Sequence, residues 1–204
     1  IAVTAAGGLV GEVVQVWRPR ELNTHETEWG FSCMSYEISG ALGIKMANPD
    51  KEVISFVGDG SYLLNNTDIY SSVITKNKLI IIVCYNGGFA VSNRLQLFKG
   101  GKEYNHLLKS SNTPGLVDVD FAKHAESMGA KSEHVNSISD LEAAFKRAKA
   151  SDVTYVISIK THAYKWVEGS AFWDSPTLEI PKTKENEEAL KLYKEGKDKQ
   201  RQGV

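Results

Sequence analysis

Residues Lys78–Tyr85 read KLIIIVCY, a run of apolar residues with no polar alternation. A strand with one face in water alternates, whereas an unbroken apolar run of this length suits a strand covered on both faces, as in a parallel sheet between helical layers. The rest of the chain keeps a matching rhythm. Strands are predicted at Ile1–Ala5, Glu52–Val57 and Asp152–Ile159, with helices at Leu9–Trp17, Cys33–Ala47, Ser61–Thr75, Asp120–Met128 and Ser139–Ala150. In the second helix Met34, Ile38, Leu42 and Met46 recur at helical spacing, small residues between them allow close packing, and Asn48-Pro49-Asp50 ends it. Strands alternating with helices give an α/β fold: a doubly wound, mostly parallel sheet with helices on both faces. Loops are expected at RPRELNTHETEWG and over Phe98–Gly115. The division expected is one domain over residues 1–180 and a charged helical extension over 181–204.

At 204 residues the chain is long enough to bury a real core. Its net charge of −1 offers no case for nucleic acid or an anionic membrane as partner. No apolar run approaches the roughly 20 residues of a membrane helix, and no signal-peptide pattern is read at the start, so a cytoplasmic location is expected. Cys33 and Cys84 sit in apolar surroundings and read as reduced core residues, too few for a zinc site. The opening IAVTAAGGLV, without Met, reads as a piece of a longer protein or a processed product.

The chemistry concentrates in VISFVGDGSYLLNN, Val53–Asn66, where a strand runs into Gly58-Asp59-Gly60 before Ser61 opens a helix. Ligands of open α/β sheets bind beyond the carboxyl ends of the strands. Glycines there permit a tight turn and close approach of a ligand, and free helical N–H groups favour an anion. A carboxylate beside a phosphate cradle is a conflict that a divalent cation removes. Mg²⁺ takes one or two protein oxygens and completes its shell with phosphates and water. The next strand ends at Asn86-Gly87-Gly88, which offers the Asn86 amide oxygen and the Gly88 carbonyl. A lone Gly-Asp-Gly is most often a plain turn; the pair, at two strand ends separated by one helix and one strand, is far more specific.

This pairing resembles the GDG…N motif of the thiamine-diphosphate enzyme superfamily that includes pyruvate decarboxylase and acetolactate synthase. The resemblance implies that Asp59, Asn86 and the Gly88 carbonyl hold Mg²⁺, which holds the diphosphate, with Gly58, Gly60 and Ser61 against the phosphates by backbone or hydroxyl. Family members often carry two asparagines at the strand end; here the first is Tyr85, outside the ligand position. WGFSCMSYEISGALG resembles the stretch that lies against the cofactor's rings, which puts Met34 where a bulky apolar residue holds the cofactor bent. From spacing alone Met34 reads as a core methionine.

EWGFSCMSYEISGALG, VGDGSYLLNNTDIYSS, NGGFAVSNRLQ and AFWDSPTLEI resemble, more narrowly, the trihydroxycyclohexane-1,2-dione hydrolases of myo-inositol catabolism, which open a cyclic polyol diketone to 5-deoxy-glucuronate. The implied reaction is the cofactor's: attack on one ketone carbon, cleavage of the adjacent carbon–carbon bond, and hydrolysis to an acid. The resemblance also implies a partner, a pyrimidine-binding domain carrying the activating glutamate, and assembly as a homodimer or tetramer. Glu12, Glu21, Glu26 and Glu28 lie in the wrong segment to replace that glutamate, so this chain is expected to be inactive alone. Other readings are an acetolactate-synthase-like or 2-oxoacid decarboxylase domain, or a noncatalytic scaffold.

His25, just before the cofactor-facing segment, is a candidate proton carrier, although a loop histidine is more often structural. The segment FAVSNRLQLFKGGKEYNHLL forms, by position, a loop over the site, with Asn93, Arg94 and Gln96 polar enough to meet a polyol or simply to face water. His106, His124, His134 and His162 lack metal-ligand spacing and read as structural or exposed.

Overall fold

The computed structural model describes residues 1–28, 30–113, 115, 117–167 and 177–200. Most of AFWDSPTLEI lies outside them. Six strands form one sheet in the order β2-β1-β3-β4-β6-β5, namely β1 (Ala2–Thr4), β2 (His25–Thr27), β3 (Ile54–Gly58), β4 (Ile80–Tyr85), β5 (Lys131–Val135) and β6 (Tyr155–Lys160). Every pairing is parallel. The helices are α1 (Gly8–Val16), α2 (Tyr36–Ala47), α3 (Asp59–Leu64), α4 (Thr67–Ile74), α5 (Ala90–Phe98), α6 (Phe121–Ser127), α7 (Ile138–Ala150) and α8 (Lys184–Asp198).

The apolar run of β4 is covered on both faces, as its pattern requires. Ile81 and Val83 pack with Ile38, Leu42, Ile69 and Phe121 on one side. Ile80 and Ile82 pack with Ala144, Ala148 and Trp17 on the other. Helices α2, α4 and α6 thus cover one face, and α7 with the end of α1 the other. The chain moves from β1 outward to β2 and then returns to β3 on β1's other side. This reversal is a topological switch point, the place where such sheets open a crevice at the strands' carboxyl ends.

Several elements differ from the sequence expectation. The RPRELNTHETEWG loop contains β2, a three-residue polar edge strand. The exposed edge strand β5 carries one buried residue, Val135. The helix expected over Ser61–Thr75 is two, α3 and α4, parted at Asn65 and Asn66. Both asparagine side chains bond locally there, Asn66 Nδ2 donating to the Tyr62 carbonyl and Asn65 Oδ1 accepting from Thr67 Oγ1. Helix α2 begins at Tyr36, not Cys33, and Cys33 is exposed rather than in the core. The loop expected over the site begins with α5, and Phe98–Gly115 contains a 3₁₀ turn at Leu108–Ser110.

Helix α8 is mostly solvated but not detached. Asn186, buried at its first turn, donates from Nδ2 to the Gly100 carbonyl at 2.9 Å and the Lys99 carbonyl at 3.4 Å. Asn186→Ala removes both bonds and leaves these carbonyls without that donor, a cost of about 1–2 kcal/mol. Hydrogen exchange of α8 amides should accelerate in that variant while the amides of β3 and β4 stay protected.

Candidate functional site

A cavity of about 400 Å³ opens at the carboxyl ends of the central strands. Its wall includes Ala6 after β1, Gly58 and Asp59 at the end of β3, Asn86 and Gly88 after β4, and Thr161 after β6. The register explains the convergence: Gly58 pairs with Cys84, so both chains leave the sheet at the same level. Met34, Gly58, Asp59, Gly60, Ser61, Asn86 and Gly88 all line this one cavity.

Asp59 is buried. Its Oδ2 accepts the backbone N–H groups of Gly87 and Gly88 at 2.8 and 2.9 Å, and its Oδ1 accepts that of Gly60 at 3.1 Å. Burial nevertheless pushes the carboxyl above its ordinary pKa, against the pull of these N–H groups. A carboxylate accepts about four hydrogen bonds, so acceptor capacity remains. Among the described residues the Asn86 Oδ1 is buried without a hydrogen-bond partner, an arrangement that costs free energy unless a ligand answers it. Among the described residues no hydrogen bond reaches the Gly88 carbonyl. A carboxylate, an amide oxygen and a backbone carbonyl are hard oxygen donors of the kind Mg²⁺ takes. No group of three His, Cys, Asp or Glu able to hold a metal occurs among the described residues, so the mixed oxygen set is the candidate for a cation.

The backbone is shaped for close approach. Gly88 has φ +141, and a Cβ there would fall on the His106 carbonyl oxygen. A Cβ at Gly60 would lie 2.5 Å from Phe89 Cε1 and 3.3 Å from Met34 Cε, so Met34 and Phe89 converge on the glycine turn. The six-residue length of α3 moves the anion argument from a long helix to this turn.

Other residues depart from expectation. The Ser61 hydroxyl is committed to protein: it donates to the Glu37 carboxyl, with Oε1 and Oε2 at 2.9 and 2.8 Å. What Ser61 can offer a phosphate is therefore its backbone. His25 does not line the cavity; on β2 its Nε2 lies 3.3 and 3.2 Å from the Thr4 and Thr27 hydroxyls, and its ring packs near Trp17. Of Asn93, Arg94 and Gln96, only Arg94 reaches the cavity, over the Trp166 ring at 4.0 Å. Asn93 is buried and donates to Glu103 at 3.0 Å, and Gln96 donates to the Lys102 carbonyl. His162 is exposed, as expected, and lies at the cavity wall. His124 meets the Tyr62 hydroxyl at 2.9 Å and His134 meets Ser158 at 3.1 Å, both structural.

Sequence reasoning missed Glu12, which lines the cavity one turn into α1; burial raises its pKa and Arg94 opposes the rise. In the sequence Glu12 is a lone polar residue within the Val-rich LVGEVV stretch, with nothing beside it to mark a site. Cys84 lines the wall as a thiol, since burial pushes its pKa up to about 12.

Comparison with known proteins identifies the family. The family model described as "Thiamine pyrophosphate enzyme, C-terminal TPP binding domain" matches residues 5–159. A protein of Bacillus licheniformis named 3D-(3,5/4)-trihydroxycyclohexane-1,2-dione hydrolase is 35% identical over 195 residues, covering 95% of this chain and 30% of that protein. One of the same name from Clostridium tetani is 38% identical, covering 85% of this chain and 28% of its own length. The chain thus spans less than a third of these curated relatives. The thiamine diphosphate-dependent 4-hydroxybenzoylformate decarboxylase of Rhodococcus jostii shares the fold, with a TM-score of 0.59 at 23% identity over 79% of this chain and 34% of that one. With the family's match running from just after β1 into β6 and taking in the cavity wall from Ala6 to Leu95, this chain belongs to the C-terminal TPP-binding domains of thiamine pyrophosphate enzymes.

Proposed function

We propose that this chain is the cofactor domain of a hydrolase that opens trihydroxycyclohexane-1,2-dione to 5-deoxy-glucuronate in myo-inositol catabolism. The observation that carries the cofactor site is the unpartnered, buried Asn86 Oδ1 in the same cavity as the buried Asp59 carboxylate. The narrower substrate rests on the relatives' shared name at 35% and 38% identity.

In this reading Asp59, Asn86 Oδ1 and the Gly88 carbonyl hold Mg²⁺. The backbone of Gly58, Gly60 and Ser61 receives the diphosphate, and Met34 supports the bent cofactor. Thiamine diphosphate, when bound, supplies a nucleophilic carbon and an electron sink. The chain's own part is positional. Asp59 fixes the Gly87-Gly88 turn through two N–H bonds while facing the cation, and Met34 with Phe89 closes an apolar side of the turn. Glu12, Arg94 and His162 supply polar groups on the remaining wall.

Residues 1–180 form the pyrophosphate-binding domain in this proposal, and 181–204 its appended extension. The activating glutamate and the aminopyrimidine contacts belong to a pyrimidine-binding domain, met across a homodimer or tetramer in the cytoplasm.

Ring opening of the diketone, followed by release of acid, tests the reading. The chain alone is expected to give no turnover, and the chain joined to its pyrimidine-binding domain to give acid only with thiamine diphosphate and Mg²⁺. Turnover by the 204-residue chain alone would overturn the two-domain account. Decarboxylation of a 2-oxoacid by the joined protein, without ring opening, would move the substrate assignment.

A further inference from the structure

The buried carboxyl of Glu37 stands outside the cation site, yet it is wired into both segments that shape the cavity. Glu37 lies in the first turn of α2 and is 1% exposed. A hydroxyl has one proton to give, and that of Ser61 goes to Glu37. Ser61 Oγ in turn accepts the Ser35 N–H at 2.6 Å. Ser35 is a non-glycine residue in the left-handed region, φ 75 and ψ −3, a conformation that persists only where its surroundings hold it. Immediately before it, Met34 reaches the Gly60 turn beside Phe89. Glu37 Oε1 also takes the Ala6 N–H at 3.4 Å, and Ala6 lines the same cavity.

We propose that Glu37 is a positioning residue for the cofactor site: it orients the Ser61 hydroxyl, whose oxygen holds the left-handed bend at Ser35 and so aims Met34 at Gly60 and Phe89. Met34's service to the cofactor rests on the function proposed above; the chain from Glu37 through Ser61 to Ser35 does not. A buried carboxyl is costly unless bonded, so a residue kept only to fill space would be apolar. Burial raises its pKa above the ordinary value, with bonds from its own backbone, Ser61 and Ala6 opposing.

Methyl-methionine NMR of the cofactor-free chain tests this directly. The chain has three methionines, and Met46, 60% exposed, is an internal reference. The Met34 methyl should be displaced by the Phe89 ring. In S61A and E37A it should move toward the Met46 position, and the double variant should go no further than either single, since both act through one link. E37Q, which keeps the shape and an acceptor, should retain the wild-type signal. Affinity for thiamine diphosphate with Mg²⁺ should fall about tenfold in S61A and E37A, as for groups that support ligands from behind, and E37Q should restore it. An unmoved Met34 signal in S61A, or in folded E37A, would overturn the proposal, as would additive effects. Should E37A fail to fold, S61A decides, because it leaves the carboxyl in place. A wild-type chain that binds no thiamine diphosphate would count against the cofactor reading, while the methyl shifts still decide the positioning role.

Discussion

Asp59→Ala is expected to weaken Mg²⁺-dependent thiamine diphosphate binding at least about 100-fold, equivalent to about 2.7 kcal/mol. Two losses coincide. The proposed cation site gives up its carboxylate ligand, and the N–H groups of Gly60, Gly87 and Gly88 lose their shared acceptor. Charge-assisted bonds of this kind contribute about 1.5–3 kcal/mol each, so the turn should also loosen. Asn86→Ala separates the two effects. Its Oδ1 has no partner among the described residues, so its removal should leave the melting temperature within a few degrees while affinity falls at least about tenfold. Calorimetric titration beside a thermal melt of each variant checks both. An Asn86→Ala variant with unchanged affinity would remove that residue from the cation site.

Gly88→Ala is expected to have the largest effect on stability. The residue sits at φ +141, and its new methyl would meet the His106 carbonyl oxygen. That oxygen is not free to retreat. It accepts the Phe89 N–H at 2.7 Å, and the Leu108 N–H bonds the Gly87 carbonyl at 2.9 Å, so the loop is pinned on both sides of the clash. Backbone strain with a broken buried pairing costs about 3 kcal/mol or more. For a chain of this size that lowers the melting temperature by roughly 6–12 °C. A chemical-denaturation midpoint unchanged from wild type would show that the Gly88 turn is less constrained than its geometry implies.

The central strands and most helices were legible because burial writes itself into sequence. β4 must be apolar on both faces, and α2 keeps its apolar residues at helical spacing. β2 and β5 were not legible for the converse reason. Edge strands carry few buried side chains, so HET and KSEHV look like loops. α5 was hidden because AVSNRLQLF follows two glycines and has only Asn93 fully buried. The residues proposed as cation ligands stood out in the sequence because such chemistry needs particular atoms at strand ends. Glu12 and Glu37 did not, since the place of each follows from how separate elements pack. Glu37 sits beside Ile38 on a helix whose periodicity hides one buried carboxyl, and only the position of Ser61 shows what it bonds.

In the proposed site Asp59, Asn86 and Gly88 hold a divalent cation that in turn holds the cofactor's diphosphate. The most direct test is calorimetric titration of thiamine diphosphate into the wild-type protein in Mg²⁺ and, separately, in EDTA. Binding in Mg²⁺ should weaken at least about tenfold once the cation is withdrawn. Equal affinity in the two buffers would contradict that assignment, because the carboxylate between two glycines would then be meeting the diphosphate without a cation between them.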